Sequence, residues 1–273
     1  MRLACVQSNV VFADPMANSH RAVEQIEQLA SQGVQLVVFP EAYLTGYCVE
    51  TAEEACHIGI GLEDESLVLI RAACDRYGVH AVLGFAEKLS EEGKVANTAV
   101  LFAPREEPRH YRKTHLPELG LDHFVTPGDQ LQVFDTKLGK IGILICFDVR
   151  APEATRTLAL QGAEVILFPT NWPNGAQISA EVLAVARAVE NKVFVATCNR
   201  VGTENGFHFI GLSKIIDPYG KQIAYAGAEE VVIVADLDLE LARNKRVVTI
   251  PGKHETTIFE SRRPDLYGPL TKT

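Results

Sequence analysis

Short runs of β-branched and other apolar residues, each ending at polar, Gly or Pro positions, recur along the chain. Such runs are typical of buried β-strands. They predict strands at residues 2–7, 35–39, 80–85, 98–102, 140–146, 164–168 and 192–198. Segments with apolar residues at helical spacing lie between them and predict helices at residues 18–32, 152–161 and 177–191. Gly33 is placed to end the first of these helices.

The order of these elements indicates how they pack. Strands separated by helices favour layered α/β packing, in which helices cover the faces of a sheet. Residues 85–102 and 213–236 instead have the pattern of consecutive strands joined by turns, such as Asp217-Pro218-Tyr219-Gly220. The pattern therefore predicts an α/β fold with mixed strand pairing, and it leaves open whether there is one sheet or two. No Pro/Gly/Ser-rich linker or internal repeat divides residues 1–273, which predicts a single domain.

Composition and charge narrow the possible partners and location. The formal net charge is -9, with acidic and basic residues interspersed, which argues against a nucleic-acid partner. Met1 leads directly into the first strand pattern, without a charged and then apolar leader, and no apolar run is long enough to span a bilayer. We therefore expect a cytoplasmic protein without a membrane partner.

The cysteines have no spacing typical of a metal or disulfide framework. They are Cys5, Cys48, Cys56, Cys74, Cys146 and Cys198. None forms a C-x-x-C pair, and a chain of 273 residues does not need disulfides to fold. We expect reduced thiols, most of them buried as small apolar side chains.

Cys146 is a candidate nucleophile because of its position in the predicted strand pattern. It ends the apolar run 140–146 and precedes the helix that opens at Pro152-Glu153. A thiol mounted there is held rigidly, with backbone N–H groups nearby that can bind an oxyanion. Glu41 and Lys113 follow two other predicted strands, and a carboxylate after an apolar run is costly to bury unless it is paired or used in proton transfer. Considered singly, each of these residues has an ordinary structural explanation.

Together these segments resemble the nitrilase, or carbon–nitrogen hydrolase, superfamily over nearly the whole chain. The matching segments are Phe39-Pro40-Glu41, Leu44-Thr45-Gly46-Tyr47, Tyr111-Arg112-Lys113-Thr114-His115, the Pro-Gly turn in 124–129, Cys146-Phe147-Asp148 with Pro152-Glu153, Asn199-Arg200-Val201-Gly202 and Asp217-Pro218-Tyr219-Gly220. The resemblance implies a four-layer α-β-β-α sandwich with two mixed β-sheets. It also implies a catalytic triad of Glu41, Lys113 and Cys146 and a cofactor-free mechanism through a cysteine thioester. In that mechanism Glu41 is the base, while Lys113 and the N–H of Phe147 stabilise the oxyanion.

The chain departs from the family pattern at one carboxylate. Many members carry a second glutamate between the lysine and the Pro-Gly turn, where it holds the lysine and positions the substrate. Asp122 is closest to that place, although its alignment requires a shift of one residue, and Glu118 is the other candidate. A plain loop carboxylate or helix cap is the alternative reading of Asp122.

The residues after the nucleophile bear on the reaction class. Phe147-Asp148 resembles the amidase and carbamoylase branches, whereas nitrilases usually carry Trp-Glu. The predicted substrate is therefore a small linear amide or N-carbamoyl compound, which would release ammonia. Tyr47, Phe147, Asn171 and Trp172 are the candidates for binding the substrate or the oxyanion, with plain packing as the alternative for Trp172.

Other functions stay open at this point. Nitrile hydrolysis to an acid, a glutaminase half that serves a separate synthetase, and a non-catalytic scaffold are the competing hypotheses. His115 and His123 lack ligand spacing with a cysteine, so no metal site is predicted. The family resemblance further implies a homodimer or larger homo-oligomer, formed through the region after Cys146 and residues 262–267.

Overall fold

The computed structural model describes residues 1–271. Its strands, in chain order, are β1 (Arg2–Gln7), β2 (Leu36–Val38), β3 (His80–Lys88), β4 (Val95–Phe102), β5 (Arg109–Arg112), β6 (Val133–Thr136), β7 (Gly139–Ile143), β8 (Val165–Thr170), β9 (Phe194–Asn199), β10 (Val201–Glu204), β11 (Phe207–Ile210), β12 (Lys214–Ile216), β13 (Gln222–Tyr225), β14 (Val231–Asp236), β15 (Arg246–Ile250) and β16 (His254–Thr257). Its α-helices are α1 (Pro15–Ser31), α2 (Ala52–Ile58), α3 (Glu65–Tyr77), α4 (Pro152–Leu160), α5 (Ala184–Asn191) and α6 (Glu240–Arg243).

Two six-stranded sheets form the centre of the molecule. The first has the strand order β14-β1-β2-β3-β4-β5, and the second has the order β13-β12-β9-β8-β7-β6. Each combines parallel pairs at its middle, β1–β2–β3 and β7–β8–β9, with antiparallel strands on both sides. Two hairpins, β10–β11 and β15–β16, lie outside these sheets. The predicted pair of mixed sheets is confirmed.

Side-chain alternation along the strands produces four layers. Leu3 and Cys5 of β1 belong to the core that also contains strands of the second sheet, whereas Ala4 and Val6 pack with helices α1 and α3. Residues of α4 and α5, including Leu158 and Ala188, cover the second sheet. Because successive strand residues point to opposite faces, one apolar strand can serve two cores. The layers are helices, sheet, sheet and helices, as the family resemblance implied.

Local signals explain why α1 is longer than its apolar pattern predicted. The carboxylate of Asp14 accepts a hydrogen bond from the N–H of Ala17 at 2.9 Å, and Pro15 occupies the first helical position. Both features favour a helix start because the first N–H groups of a helix lack internal partners. Gly33 follows the end of the helix with a φ of 78°, as predicted. The cap therefore extends the helix three residues before the predicted start.

Two predicted elements differ in detail from the structure. The strand predicted at 140–146 ends at Ile143, and Cys146 begins a short 3₁₀ turn, Cys146–Arg150. The helix predicted at 177–191 contains a π-helical turn, Ser179–Leu183, before α5. Within residues 1–271 no helix has both the length and the apolar character required to cross a membrane.

Candidate active site

The topology brings the ends of strands from both sheets to one edge. In the first sheet β5 is antiparallel to β4, and β4 is antiparallel to β3, so β5 runs in the same direction as β2. The carboxyl ends of β2 and β5, which precede Glu41 and Lys113, therefore lie on the same side. In the second sheet the parallel strands β7 and β8 lead to Cys146 and Asn171.

A close backbone approach positions Glu41. A Cβ added to Gly84 of β3 would lie 2.4 Å from the nitrogen of Ala42, a distance that real side chains do not tolerate. Glycine at this position lets the chain after β2 pass directly over β3. The Glu41 side chain is consequently fully buried at the sheet edge.

The main chain of Lys113 is held on both sides. Its N–H donates to the carbonyl of Asn97 at 2.8 Å, and its carbonyl accepts from the N–H of Gly128 at 2.8 Å. A Cβ on Gly128 would lie 2.2 Å from the carbonyl oxygen of Arg112, so the Pro-Gly turn can pack there only with glycine. The turn that follows the lysine in the sequence thus fixes the direction of the lysine side chain.

Glu41, Lys113 and Asp122 form a buried ion cluster. The Nζ atom of Lys113 donates to Glu41 Oε1 at 2.8 Å and to Asp122 Oδ2 at 2.5 Å. All three side chains are inaccessible to solvent. Burial acts to lower the pKa of Lys113, but the charges of Asp122 and Glu41 hold that pKa well above its ordinary value. The lysine is therefore an ammonium ion, and two of its three N–H bonds are committed to carboxylates.

Asn97, in β4, is a site residue that the sequence analysis missed. Its Nδ2 atom donates to Glu41 Oε1 at 2.8 Å and to Asp122 Oδ1 at 2.7 Å. One amide group thus bridges the two carboxylates and holds them at a fixed separation. Among the described residues, Glu41 Oε2 has no hydrogen-bond partner. Oε2 is therefore uncommitted, while Oε1 accepts from both Asn97 and Lys113.

Cys146 is held in a strained turn by Asp148. After β7 the N–H of Leu144 still donates to the carbonyl of Leu167, whereas the N–H of Ile145 donates to the Asp148 carboxylate at 2.8 Å. Cys146 then adopts a φ of 44°, in the left-handed region that most residues avoid. Asp148 also accepts from the hydroxyl of Tyr111 at 2.8 Å and from the N–H of His115 at 3.1 Å. It therefore connects the turn of the predicted nucleophile with the segment that carries Lys113.

The Cys146 thiol lies within the electrostatic influence of the ion cluster. Burial and the charge of Glu41 raise the pKa of Cys146 well above its ordinary value, while Lys113 and the N–H of Asn171 act in the opposite direction. The resting group is therefore a thiol and not a stored thiolate. Burial also raises the pKa of Glu41, although Lys113 opposes this effect. A carboxylate with a raised pKa is a suitable acceptor for the thiol proton near neutral pH.

The structure distinguishes the two candidates for the second carboxylate. Asp122 lies in the 3₁₀ turn Gly120–His123 and contacts Lys113, whereas Glu118 is exposed. The Tyr47 hydroxyl lies 2.8 Å from Asp122 Oδ2, and the Tyr47 ring centroid lies 6.0 Å from Lys113 Nζ. Tyr47 therefore contacts the charged cluster and belongs to the wall of the site.

The remaining predicted residues lie directly after Cys146 or directly after β8. Asn171 is buried, its backbone N–H acts to lower the pKa of Cys146, and neither polar atom of its side chain has a partner among residues 1–271. Trp172 is buried and its N–H donates to Asn199. Phe147 is half-buried and follows Cys146 at the start of the 3₁₀ turn, where backbone N–H groups have no acceptor within the turn.

The histidines take up structural contacts. His115 Nδ1 lies 2.7 Å from Asp148 Oδ1, and this contact raises the pKa of His115. The ring of His123 packs edge-on against Phe124. Across the described part of the chain, no group of three or more His, Cys, Asp or Glu side chains has the arrangement of a metal site.

The chain belongs to the carbon–nitrogen hydrolase family, whose model matches residues 2–247. The predicted membership of the nitrilase superfamily is confirmed, and with it the predicted enzyme class, a hydrolase of carbon–nitrogen bonds.

Individual relatives cover nearly the full chain. A protein of Pyrococcus abyssi named nitrilase is 40% identical over 98% of this chain and 99% of its own. The 2-oxoglutaramate amidase of Bacillus subtilis is 32% identical over 97% of this chain and 98% of its own. A solved structure of a mutant amidase from Nesterenkonia sp. AN1 has a TM-score of 0.79 and 26% identity, over 98% of this chain and 95% of that chain. In that structure the acetamide moiety of fluoroacetamide is covalently attached to the active-site cysteine.

Proposed function

We propose that this protein hydrolyses the terminal amide of a small molecule to a carboxylic acid and ammonia, through a thioester on Cys146. The observation that carries the proposal is the buried cluster of Glu41, Lys113 and Asp122 beside a strained, buried thiol. Such a cluster is expensive to bury and supplies both a proton acceptor and a fixed cation. The amidases among the relatives support the choice of an amide.

The first half-reaction in this proposal forms the thioester. The sulfur of Cys146 attacks the amide carbonyl carbon while the thiol proton passes to Glu41 Oε2, the carboxylate oxygen without another partner. The negative charge on the carbonyl oxygen is stabilised by the third N–H of Lys113 and by the N–H of Phe147. Glu41 then returns the proton to the nitrogen, the C–N bond breaks and ammonia leaves.

The second half-reaction releases the acid. Glu41 accepts a proton from water as the water oxygen attacks the thioester carbon. Collapse of this second tetrahedral intermediate breaks the C–S bond, and the proton held by Glu41 returns to the sulfur. Lys113 remains protonated throughout because Asp122 and Glu41 hold its pKa high. The cycle therefore uses one base twice and needs no cofactor.

The side chain of Asn171 supports an amide or a carbamoyl group as the substrate. Its donor and acceptor atoms are both buried and without partners among residues 1–271, and its backbone N–H acts on the pKa of the Cys146 thiol. Unpaired buried polar atoms are unfavourable until a ligand satisfies them. A primary amide offers a complementary acceptor and donor, and so does a terminal ureido group.

Nitrile hydrolysis is the second candidate, because the relative from Pyrococcus abyssi is named nitrilase. The same thiol and base would attack a nitrile carbon to give a thioimidate. The Asn171 side chain favours the amide, since a nitrile nitrogen is an acceptor without a donor. Phe147-Asp148 after the nucleophile also favours the amide.

An ammonia-release screen tests this function. The substrates are ω-amides of dicarboxylic acids, simple aliphatic amides, carbamoyl amines and acids, and nitriles matched to the amides in carbon skeleton. We expect turnover of at least one amide or carbamoyl compound and slower turnover of its matched nitrile. Faster turnover of the nitrile would reverse the assignment of substrate class, and no ammonia from any class would favour a non-catalytic role.

We further propose that the chain forms a homo-oligomer through the helical segment 178–191, which contains the π-helical turn and α5, and the C-terminal segment. Ile178, Val182 and Val189 lie at helical spacing and are 48%, 51% and 42% exposed. The segment that contains Arg262, Tyr267 and Leu270 packs beside α4 and α5 and adds the exposed side chain of Leu270. An apolar stripe of this kind is suited to a self-complementary interface.

The oligomer can be tested with one charged substitution. Val182→Asp is expected to convert the oligomer to a monomer in sedimentation velocity at micromolar concentration, because burying an unpaired carboxylate in an interface is unfavourable. Val68→Asp is a matched control, since Val68 on α3 is also 51% exposed. A wild-type protein that sediments as a monomer would overturn this proposal. Equal sedimentation coefficients for Val182→Asp and Val68→Asp would also overturn it.

A further inference from the structure

A second buried ion pair lies outside the cluster of Glu41, Lys113 and Asp122 and takes no part in the proposed mechanism. Arg200 NH1 and Glu204 Oε2 are 2.7 Å apart, with side chains only 1% and 2% exposed. Glu204 ends β10, in the hairpin β10–β11, outside both large sheets. A buried ion pair contributes little to net stability compared with apolar packing, so its presence calls for a specific role.

Glu204 holds the loop that carries Tyr47. Its Oε1 atom accepts hydrogen bonds from the N–H groups of Tyr47 and Cys48, both at 2.8 Å. The adjacent Asn205 donates to the carbonyl of Cys48 at 2.6 Å. A single carboxylate therefore satisfies two consecutive N–H groups in a buried loop, and Arg200 compensates its charge.

Tyr47 transmits this contact to the ion cluster. Its carbonyl accepts from the N–H of Leu121 at 2.7 Å, and its hydroxyl lies 2.8 Å from Asp122 Oδ2. A Cβ on Gly120 would lie 2.7 Å from the Tyr47 ring, so the 3₁₀ turn that carries Asp122 packs directly on that ring. The position of Asp122, and with it that of Lys113, therefore depends on the position of Tyr47.

The same hairpin also contacts the segment beside the nucleophile. The N–H of Ile210 donates to the carbonyl of Trp172 at 3.1 Å, and the N–H of Asn174 donates to the carbonyl of His208 at 2.9 Å. The hairpin thus bonds to the loop after β2 of the first sheet and to the segment after β8 of the second sheet. The first of these segments carries Tyr47, and the second carries Asn171 and Trp172.

We propose that Glu204 is a positioning residue for catalysis: it fixes the Tyr47 loop, and through Tyr47 it sets where Asp122 holds the Lys113 ammonium between the two carboxylates. This rests on the proposed function, in which Lys113 and Glu41 act on the Cys146 thiol and the substrate. A small displacement of Tyr47 moves Asp122, and Lys113 then lies less well placed against Glu41. Misplacement of a catalytic group by about 1 Å can lower a rate by about a hundredfold.

Glu204→Gln tests the proposal, with Glu164→Gln as a matched control. Glu164 is also a buried carboxylate that accepts from a backbone N–H, that of Lys140 at 2.9 Å, and pairs with an arginine, Arg243. It immediately precedes β8, at the opposite end of that strand from Asn171. Both variants remove the charge of a carboxylate paired with an arginine, Arg200 being buried and Arg243 half-exposed, but only the Glu204 pair contacts the Tyr47 loop.

The readout is the rate at which iodoacetamide alkylates Cys146, measured by peptide mass mapping as a function of pH at a temperature where circular dichroism shows folded protein. This rate does not require a known substrate.

We expect Glu204→Gln to lower the alkylation rate of Cys146 by about tenfold or more. Lys113 lowers the pKa of Glu41, so a less well placed Lys113 should move the acidic limb of the profile to higher pH. The other groups that act on Glu41 and Cys146, which are Asp122, Asn97, Tyr47 and the N–H of Asn171, are unchanged in Glu204→Gln and Glu164→Gln. Glu164→Gln should leave both the rate and the limb at wild-type values.

The outcomes separate this proposal from the function itself. An alkylation profile of Glu204→Gln that matches wild type would overturn the positioning role, whether or not any amide is hydrolysed. If Glu204→Gln does not fold, Tyr47→Phe takes its place, because it keeps the ring and removes only the hydroxyl, which contacts Asp122 Oδ2 and the carbonyl of Leu119. That variant must show the same upward shift of the acidic limb, and an unshifted limb would equally overturn the proposal. Loss of amide turnover in the wild type alone would affect the proposed function and leave the alkylation result intact.

Discussion

Replacing Cys146 with alanine is expected to abolish ammonia release and leave the fold intact. The substitution removes the nucleophile and little volume. The remaining groups can stabilise an oxyanion, but they have no atom that can form the thioester. Loss of a catalytic nucleophile in other covalent hydrolases lowers kcat on the order of 10⁶-fold. The measurement is ammonia release on the best amide, together with thermal unfolding.

Cys74→Ala provides the control for this prediction. Cys74 is fully buried in α3, and the same atom is removed there. Deleting one buried heavy atom costs about 1 kcal/mol of stability, so both variants should unfold at slightly lower temperature. Only the Cys146 variant should lose activity. Retention of more than a few per cent of wild-type turnover by Cys146→Ala would mean that another residue is the nucleophile.

The parts of the fold that depend on neighbouring residues could be predicted from the sequence. β1 was predicted with its observed bounds, because an apolar run with β-branched residues and polar ends is a local signal. The number of sheets depends on which distant strands pair, such as β1 with β14. No local pattern reports that pairing, so the two sheets were available only from the family resemblance.

Asn97 shows why part of the site was missed. The strand prediction began at residue 98, one position after this asparagine, because a polar side chain interrupts an apolar run. β4 in fact begins at Val95, and Asn97 lies inside it with both faces buried. A buried polar residue in a strand breaks the local rule because the site requires it. The polar residue Asn97 within an otherwise apolar run was therefore the signal in the sequence that could have identified it as a site residue.

Backbone geometry accounts for the difference between the predicted and observed positions of Cys146. The sequence placed Cys146 at a strand end, whereas the structure places it three residues after Ile143, with a positive φ. Asp148 holds the turn locally: its carboxylate accepts from the N–H of Ile145, and its own N–H donates to the carbonyl of Ile145. Such a contact between a side chain and the nearby backbone is specific to the turn geometry. Apolar periodicity alone does not reveal it.

Glu41→Gln is expected to lower ammonia release by about 10⁴-fold or more. The substitution changes one atom and preserves size, but an amide cannot accept the thiol proton or activate water near neutral pH. General acid–base catalysis contributes about 10²–10⁴-fold to a single step, and both half-reactions here depend on Glu41. Glu164→Gln is the control, since it makes the same change in another buried carboxylate. If Glu41→Gln released ammonia at a rate within tenfold of wild type, Glu41 would not be the catalytic base.

The pH dependence provides a second check on Glu41. The residue must be ionised to act as a base, and burial raises its pKa above the ordinary value. Turnover of wild type should therefore fall as the pH drops through this raised pKa, at a higher pH than a solvent-exposed glutamate would give. In Glu41→Gln the residual rate should no longer show this acidic limb.

The most direct test of the central claim is the intact mass of the Glu41→Gln protein after incubation with its best amide. Water is a weaker acid than a thiol, so loss of the base should impair hydrolysis of the thioester more than its formation. The account predicts a mass increase of one acyl group per chain, mapped to the peptide that contains Cys146 and absent from the Glu41→Gln/Cys146→Ala protein. An acyl group on a different residue, or ammonia release at an undiminished rate without any adduct, would contradict it.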